Sequence, residues 1–231
     1  MIIRQGKRFV KYRYFFKNPN YFQPEEINAI LDALDSEPEQ WYLLVHLLIL
    51  TGRRRGEVAG LQWSKIDFQR KTILIDSSLI HTKSKGVYLT QTKAGDTRRL
   101  FLPDETLELL RAHKEKQNAQ KQACGDKWID SDFVFTAAHG GHIHPDSITD
   151  WLAKFSKRHN LPHINPHAFR HAAASILLSE GMDVNSVAHY IGHLIPSTTL
   201  NKYSHVIYKN QVASSEILAS ILLHGRRKEK K

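Results

Sequence analysis

The chain's 231 residues, 41% hydrophobic and 24% charged, are enough for a buried core and have the balance of an ordinary soluble globular protein. The apolar run "WYLLVHLLIL" is too short to cross a bilayer, "MIIRQGKRFVKYRYFF" shows no signal-peptide pattern, and the single cysteine, Cys124, excludes a disulfide framework or a cysteine-based zinc site, so a cytoplasmic protein is expected. The net charge of +10 calls for a polyanionic partner; nucleic acid is favoured over an anionic membrane, because no strongly amphipathic basic helix stands out.

In chain order, residues 1–20 are basic and aromatic without periodicity and read as an extension or a linker stub. Pro24 opens a helix through "PEEINAILDAL", and a second helix runs from near Pro38 to Thr51, with Gly52 as its cap. A short third helix is expected over "RRGEVAGL". The period then changes. The segments 71–80, 86–92 and 98–103 are β-rich, are separated by "KSKG" and "KAGD", and together predict a three-stranded antiparallel sheet. Helical pattern returns at "DETLELLRAHKEKQ" and persists, with a loop at 138–142, to Leu223. Within it, "NPHAFRHAAAS" starts a helix: Asn165 is a good N-cap and Pro166 suits the first helical position. The stripe Phe169, Ala172, Ala173, Ile176 and Leu177 faces inward, Gly181 stops the helix, and His167 and His171 fall opposite with Arg170 on the flank. A tail helix is expected over about 208–224. The expected class is α+β, mostly helical, with a domain over 21–231 built around the small sheet.

That polar face is either simply solvated or an anion site, since a helix N-terminus offers free N–H groups and a positive dipole end. Other segments favour the anion. "LTGRRRGEVAGLQWSKID" follows an apolar helix with three arginines and a glutamate, "QTKAGDTRRL" puts Lys93 at a tight turn, and "YIGHLIPSTTLNKYSHV" holds His193 and Tyr203. In this order the set resembles the catalytic domain of the tyrosine recombinases, the phage integrase family, whose pattern runs T-G-x-R-x-x-E, a hairpin lysine, H-x-x-R, G-H and a nucleophilic tyrosine. The resemblance covers about residues 21 to 210 and implies Arg54, Lys93, His167, Arg170, His193 and Tyr203 as catalytic residues, with Glu57 and His171 in support. There are two departures. Arg53 stands where the family usually has an apolar residue, which leaves open which arginine of 53–55 points inward. Lys65 replaces a common aspartate and reads as a surface change.

The residue types suit the chemistry. A phosphodiester attacked in line gains charge on its non-bridging oxygens, and the planar, permanently charged guanidinium meets two oxygens at once. Tyrosine needs a base and nearby positive charge to act at neutral pH. The resemblance assigns Arg54 and Arg170 to the phosphate clamp, His167 to the tyrosine proton, His193 to a phosphate oxygen and Lys93 to the departing 5′-oxygen, with Lys83 and Lys85 as competitors for that last role. It implies double-stranded DNA as partner, assembly as a tetramer on paired sites, and integration or excision of a phage or mobile element. Neither a cofactor nor a metal is expected, although His139, His142 and His144 lie close in sequence. The alternatives are a topoisomerase-like enzyme and a DNA-binding protein that has lost catalysis. Relatives of this kind usually carry a core-binding domain ahead of the catalytic one. Residues 1–20 are too few for it, so a catalytic fragment or a short form of the family is expected.

Overall fold

The computed structural model of the chain describes residues 22, 24–92, 97–192 and 199. The elements run α1 (Pro24–Leu34), α2 (Glu39–Thr51), α3 (Arg55–Ala59), β1 (Ile66–Asp67), β2 (Thr72–Ile75), β3 (Ser77–Thr82), β4 (Gly86–Gln91), β5 (Arg98–Phe101), α4 (Asp104–Cys124), α5 (Pro145–Arg158), α6 (Pro166–Ser179) and α7 (Val184–Ile191). The expected α+β class holds, with helices around a small antiparallel sheet of three strands in the order β1-β2-β5. The expected extension over 1–20 and the tail helix lie outside the described residues.

The strands that make the sheet differ from the expected ones. The run 71–80 is not one strand: it breaks at Asp76 into β2 and β3, which enter different sheets. β2 pairs with β5, setting Ile73 opposite Leu100, and Ile66–Asp67 supplies the third strand. β3 and β4 form a separate hairpin with Leu79 opposite Leu89. Long-range contacts make the break. Lys65 Nζ lies 2.5 Å from Asp76 Oδ2, and Thr92 donates its N–H (2.8 Å) and its hydroxyl (3.1 Å) to the Asp76 carbonyl. Lys65 is therefore the post that holds the kink, not a neutral surface change.

Helix α2 buries Leu43, Leu44, Val45, Leu47 and Leu48, which fits an apolar helix driven through the middle of the core. Leu107 of α4, Leu152 of α5, Phe169 of α6 and Ile73 of β2 share that core. Trp41 of α2 stacks on Trp151 of α5 with centroids 4.6 Å apart and planes 6° from parallel, and Phe155 continues the stack at 5.0 Å. Gly52 ends α2 in the left-handed conformation (φ 59°), donating its N–H to Leu48 O at 3.1 Å. The sharp turn points Arg53, Arg54 and Arg55 in separate directions. α3 then lies so close to β3 that a Cβ on Gly56 would sit 2.6 Å from the Leu79 carbonyl oxygen and from Ser78 Oγ. Among the described residues, no helix is long and apolar enough to cross a membrane.

Candidate active site

The three arginines after Gly52 do three different things. Arg53 is buried, 1% exposed, and its Nη2 donates to the Tyr190 carbonyl at 2.7 Å, at the end of α7. Arg54 keeps 46% of its side chain in solvent, with Nη1 donating to Glu57 Oε1 at 2.7 Å. Glu57 also accepts the Arg54 backbone N–H through Oε2 at 3.2 Å, so one buried carboxylate both caps α3 and aims the guanidinium. Arg55 turns to α5, where it pairs with Asp146 at 2.6 Å and donates to Thr149. The arginine that points inward is thus Arg53. Arg54, at the family position, is the most exposed of the three and sits on a fixed support.

The helix of "NPHAFRHAAAS" begins as expected: Asn165 Oδ1 accepts the His167 N–H at 2.9 Å, and Pro166 occupies the first position. It also ends as expected. Gly181 is left-handed (φ 88°), Met182 N–H returns to Leu177 O at 3.0 Å, and Gly181 N–H to Leu178 O at 3.1 Å. His167 is exposed, and His171 meets it edge-on with centroids 5.0 Å apart. Arg170 does not lie on the flank. It is 1% exposed, and Nη1 donates to Gly52 O at 3.1 Å and to Ile191 O. It is buried because it reaches down between α2 and α7 to carbonyls that those helix ends cannot satisfy internally. The structure therefore joins the T-G-x-R corner to the H-x-x-R helix through one side chain.

The end of α7 gathers one more arginine. Arg98 of β5, 8% exposed, donates Nη1 to His189 O at 2.6 Å. Arg98 was not singled out from the sequence, and Arg53 was noted there only as a departure from the family pattern. For Arg98 a signal exists: β5 alternates buried and exposed, so Arg98 shares the inner face with Leu100 while Phe101, 78% exposed, lies outside. Tyr190 donates its hydroxyl to Leu50 O at 2.8 Å, and burial pushes its ionisation up, countered in part by the charge of Arg53. A hydroxyl so held makes a poor nucleophile.

Lys93, His193 and Tyr203 lie outside the described residues. Of the competing hairpin lysines, Lys85 sits over the Tyr88 ring at 5.6 Å and Lys83 is exposed. His144 is brought not to His139 and His142 but to His81 and Asp146, a group whose donor atoms lie within 4.8 Å of one another. That group is already employed: His144 Nδ1 caps α5 by accepting the Asp146 N–H at 3.2 Å, and the Asp146 carboxylate is paired with Arg55.

The phage integrase family model matches residues 20–210. A "tyrosine recombinase XerC-like" protein of Caldanaerobacter subterraneus subsp. tengcongensis is 28% identical over 214 residues, covering 87% of this chain and 54% of that protein. The ICEBs1 integrase of Bacillus subtilis is 24% identical over 206 residues, with 89% and 56% covered. The chain thus spans about half the length of these curated relatives. Among solved structures, the Tn1549 transposon integrase in complex with transposon right end DNA superposes with a TM-score of 0.74 at 21% identity, over 86% of this chain and 66% of that one. A XerA recombinase does so at 0.62 and 21% identity, over 83% and 64%. The fold is shared with both.

Proposed function

Because the chain belongs to the phage integrase family, we propose that it cleaves and rejoins duplex DNA through a 3′-phosphotyrosyl linkage to Tyr203. The Tyr203 oxygen attacks the phosphorus and the bond from phosphorus to the 5′-oxygen breaks. His167 takes the tyrosine proton, and Lys93 supplies a proton to the departing oxygen. Arg54 and Arg170 stabilise charge on the non-bridging oxygens, and His193 donates to one of them. Arg170 has five N–H donors, so anchoring through Nη1 is compatible with a phosphate contact elsewhere on the fork. The linkage retains the energy of the broken bond, so rejoining draws on no nucleotide cofactor. The setting is cytoplasmic, the substrate double-stranded, and the working unit a homotetramer on paired sites during integration or excision of a phage or mobile element.

One observation carries this reading. Motifs 118 residues apart meet at the Arg170–Gly52 hydrogen bond, two residues before the exposed and braced Arg54. That bond sets the H-x-x-R helix beside the corner that carries Arg54, which supports one shared anion site. The test is a duplex nicked next to the scissile phosphate, drawn from the ends of the element that encodes the chain. Wild type should leave a covalent protein–DNA adduct on a denaturing gel, and Tyr203→Phe should leave none while binding duplex with nearly unchanged affinity. An adduct of normal yield with Tyr203→Phe overturns the nucleophile. No adduct with wild type, while duplex binding is kept, favours a DNA-binding protein without catalysis.

A further inference from the structure

The C-terminal turn of α7 presents three consecutive carbonyls, and each accepts from an arginine of a different element. Arg98 of β5 donates to His189 O at 2.6 Å, Arg53 of the α2–α3 corner to Tyr190 O at 2.7 Å, and Arg170 of α6 to Ile191 O. We propose that Arg53 and Arg98 are positioning residues for strand cleavage, holding this turn so that Arg170 stays fixed against the corner that carries Arg54. The proposal rests on the functional reading above and deepens it.

The geometry explains why three donors are used. The last carbonyls of a helix lack intrahelical partners and carry the negative end of its dipole, so cations suit them. Successive residues are turned by about 100°, so three successive carbonyls, all pointing toward the C-terminal end, sit at three positions around the axis. A helix end gripped on one side can still tilt toward the open sides; gripped on three, it has no direction left. Arg170 Nη1 is shared between Gly52 O and Ile191 O, so a tilt of α7 would carry one acceptor away from the other and turn the guanidinium with it. Tyr190 adds a fourth tie from the same turn, its hydroxyl donating to Leu50 O at 2.8 Å. Gly192, left-handed at φ 82°, closes the helix immediately behind these bonds, and the next residue in the chain is His193.

The lever is indirect, so rate and binding should separate. Single-turnover cleavage of the nicked duplex is measured at saturating protein, beside the affinity for a random duplex and the melting temperature. Arg53→Leu and Arg98→Leu should each slow cleavage by about tenfold to a hundredfold, the range for a misplaced catalytic group, with duplex affinity within about threefold of wild type. Arg53→Lys should recover part of the rate, because an ammonium still offers a charged donor to one carbonyl. Either leucine variant cleaving within about twofold of wild type overturns the proposal for that residue, as does a loss that follows duplex affinity alone. If the leucine variants do not fold, Arg53→Lys and Arg98→Lys decide: slower cleavage at unchanged affinity supports the role, and wild-type rates overturn it. If wild type itself forms no adduct, the functional reading falls; if wild type cleaves and the variants keep pace, only the positioning role does.

Discussion

Glu57 carries two tasks on one carboxylate, closing the start of α3 and holding the Arg54 guanidinium. Arg54 is nearly half exposed, so its loss of a partner costs little through solvation, and the stability cost of Glu57→Gln is about 1 kcal/mol, that of a weakened cap. The cost to chemistry is larger. Without the ion pair the arginine samples several rotamers, and cleavage should fall about tenfold or more while the melting temperature shifts by a few degrees. Adduct formation measured beside a thermal melt checks both. Tyr190→Phe is the complementary case: it removes a buried hydroxyl that bonds to Leu50 O, should cost about 1 kcal/mol, and should still form the adduct. A missing adduct at retained fold would mean that this tie bears on the chemistry and not on stability alone. At this scale the sequence was legible where a side chain acts locally. The Asn165 cap and the Gly181 stop depend on neighbours a few positions away, and both hold. The burial of Arg53, Arg98 and Arg170 depends on carbonyls far along the chain, which no local pattern displays.

At the scale of elements, α3 and β3 leave no room for a side chain between them at Gly56. Gly56→Ala would place a methyl 2.6 Å from backbone and hydroxyl oxygens, forcing the helix off the hairpin at a cost of about 1–3 kcal/mol, read as a lower melting temperature and a parallel loss of cleavage. Two histidines, His46 of α2 and His113 of α4, make a different demand, on pH. His46 lies 3.0 Å from Thr106 Oγ1, and His113 Nε2 donates to Val134 O at 2.8 Å. Burial holds both imidazoles below the usual histidine range, opposed at His113 by the bond to Val134. The unfolded chain then binds more protons than the folded one as pH falls below the ordinary histidine value, so stability drops with acidity in that window. Melts between about pH 7.5 and 5 should show the fall, and His113→Gln, which keeps a donor without titrating, should flatten it. The helices were legible because their apolar spacing is internal to each of them. The division of 71–80 between two sheets was not, because Lys65 and Thr92, which bend the chain at Asp76, lie outside the segment.

For the whole molecule, charge is the controlling quantity. A protein at +10 that neutralises about six phosphates should lose about a thousandfold in affinity for random duplex between about 50 and 200 mM salt, because each contact releases counterions. A gel shift or anisotropy titration across that range measures it, and a flat response would remove DNA as the partner. Cleavage should also persist in excess EDTA, since the proposed clamp is made of side chains that are charged without a metal. A strict divalent requirement in the same assay would replace that clamp with another mechanism. The expectation of a polyanionic partner came from composition alone, and the order of motifs along the chain was legible as a family pattern. Their meeting in space was not, because it rests on side chains that cross between helices.

The stack of Trp41 on Trp151 has a consequence of another kind. Two indoles 4.6 Å apart and within 6° of parallel share their excited states, so the protein carries a coupled chromophore across the α2–α5 seam. The far-ultraviolet dichroism should hold a component that Trp151→Phe removes without loss of helix signal. Because α2 runs into the arginine corner and α5 receives Arg55, that signal reports optically, without label or substrate, whether the walls of the site are still docked.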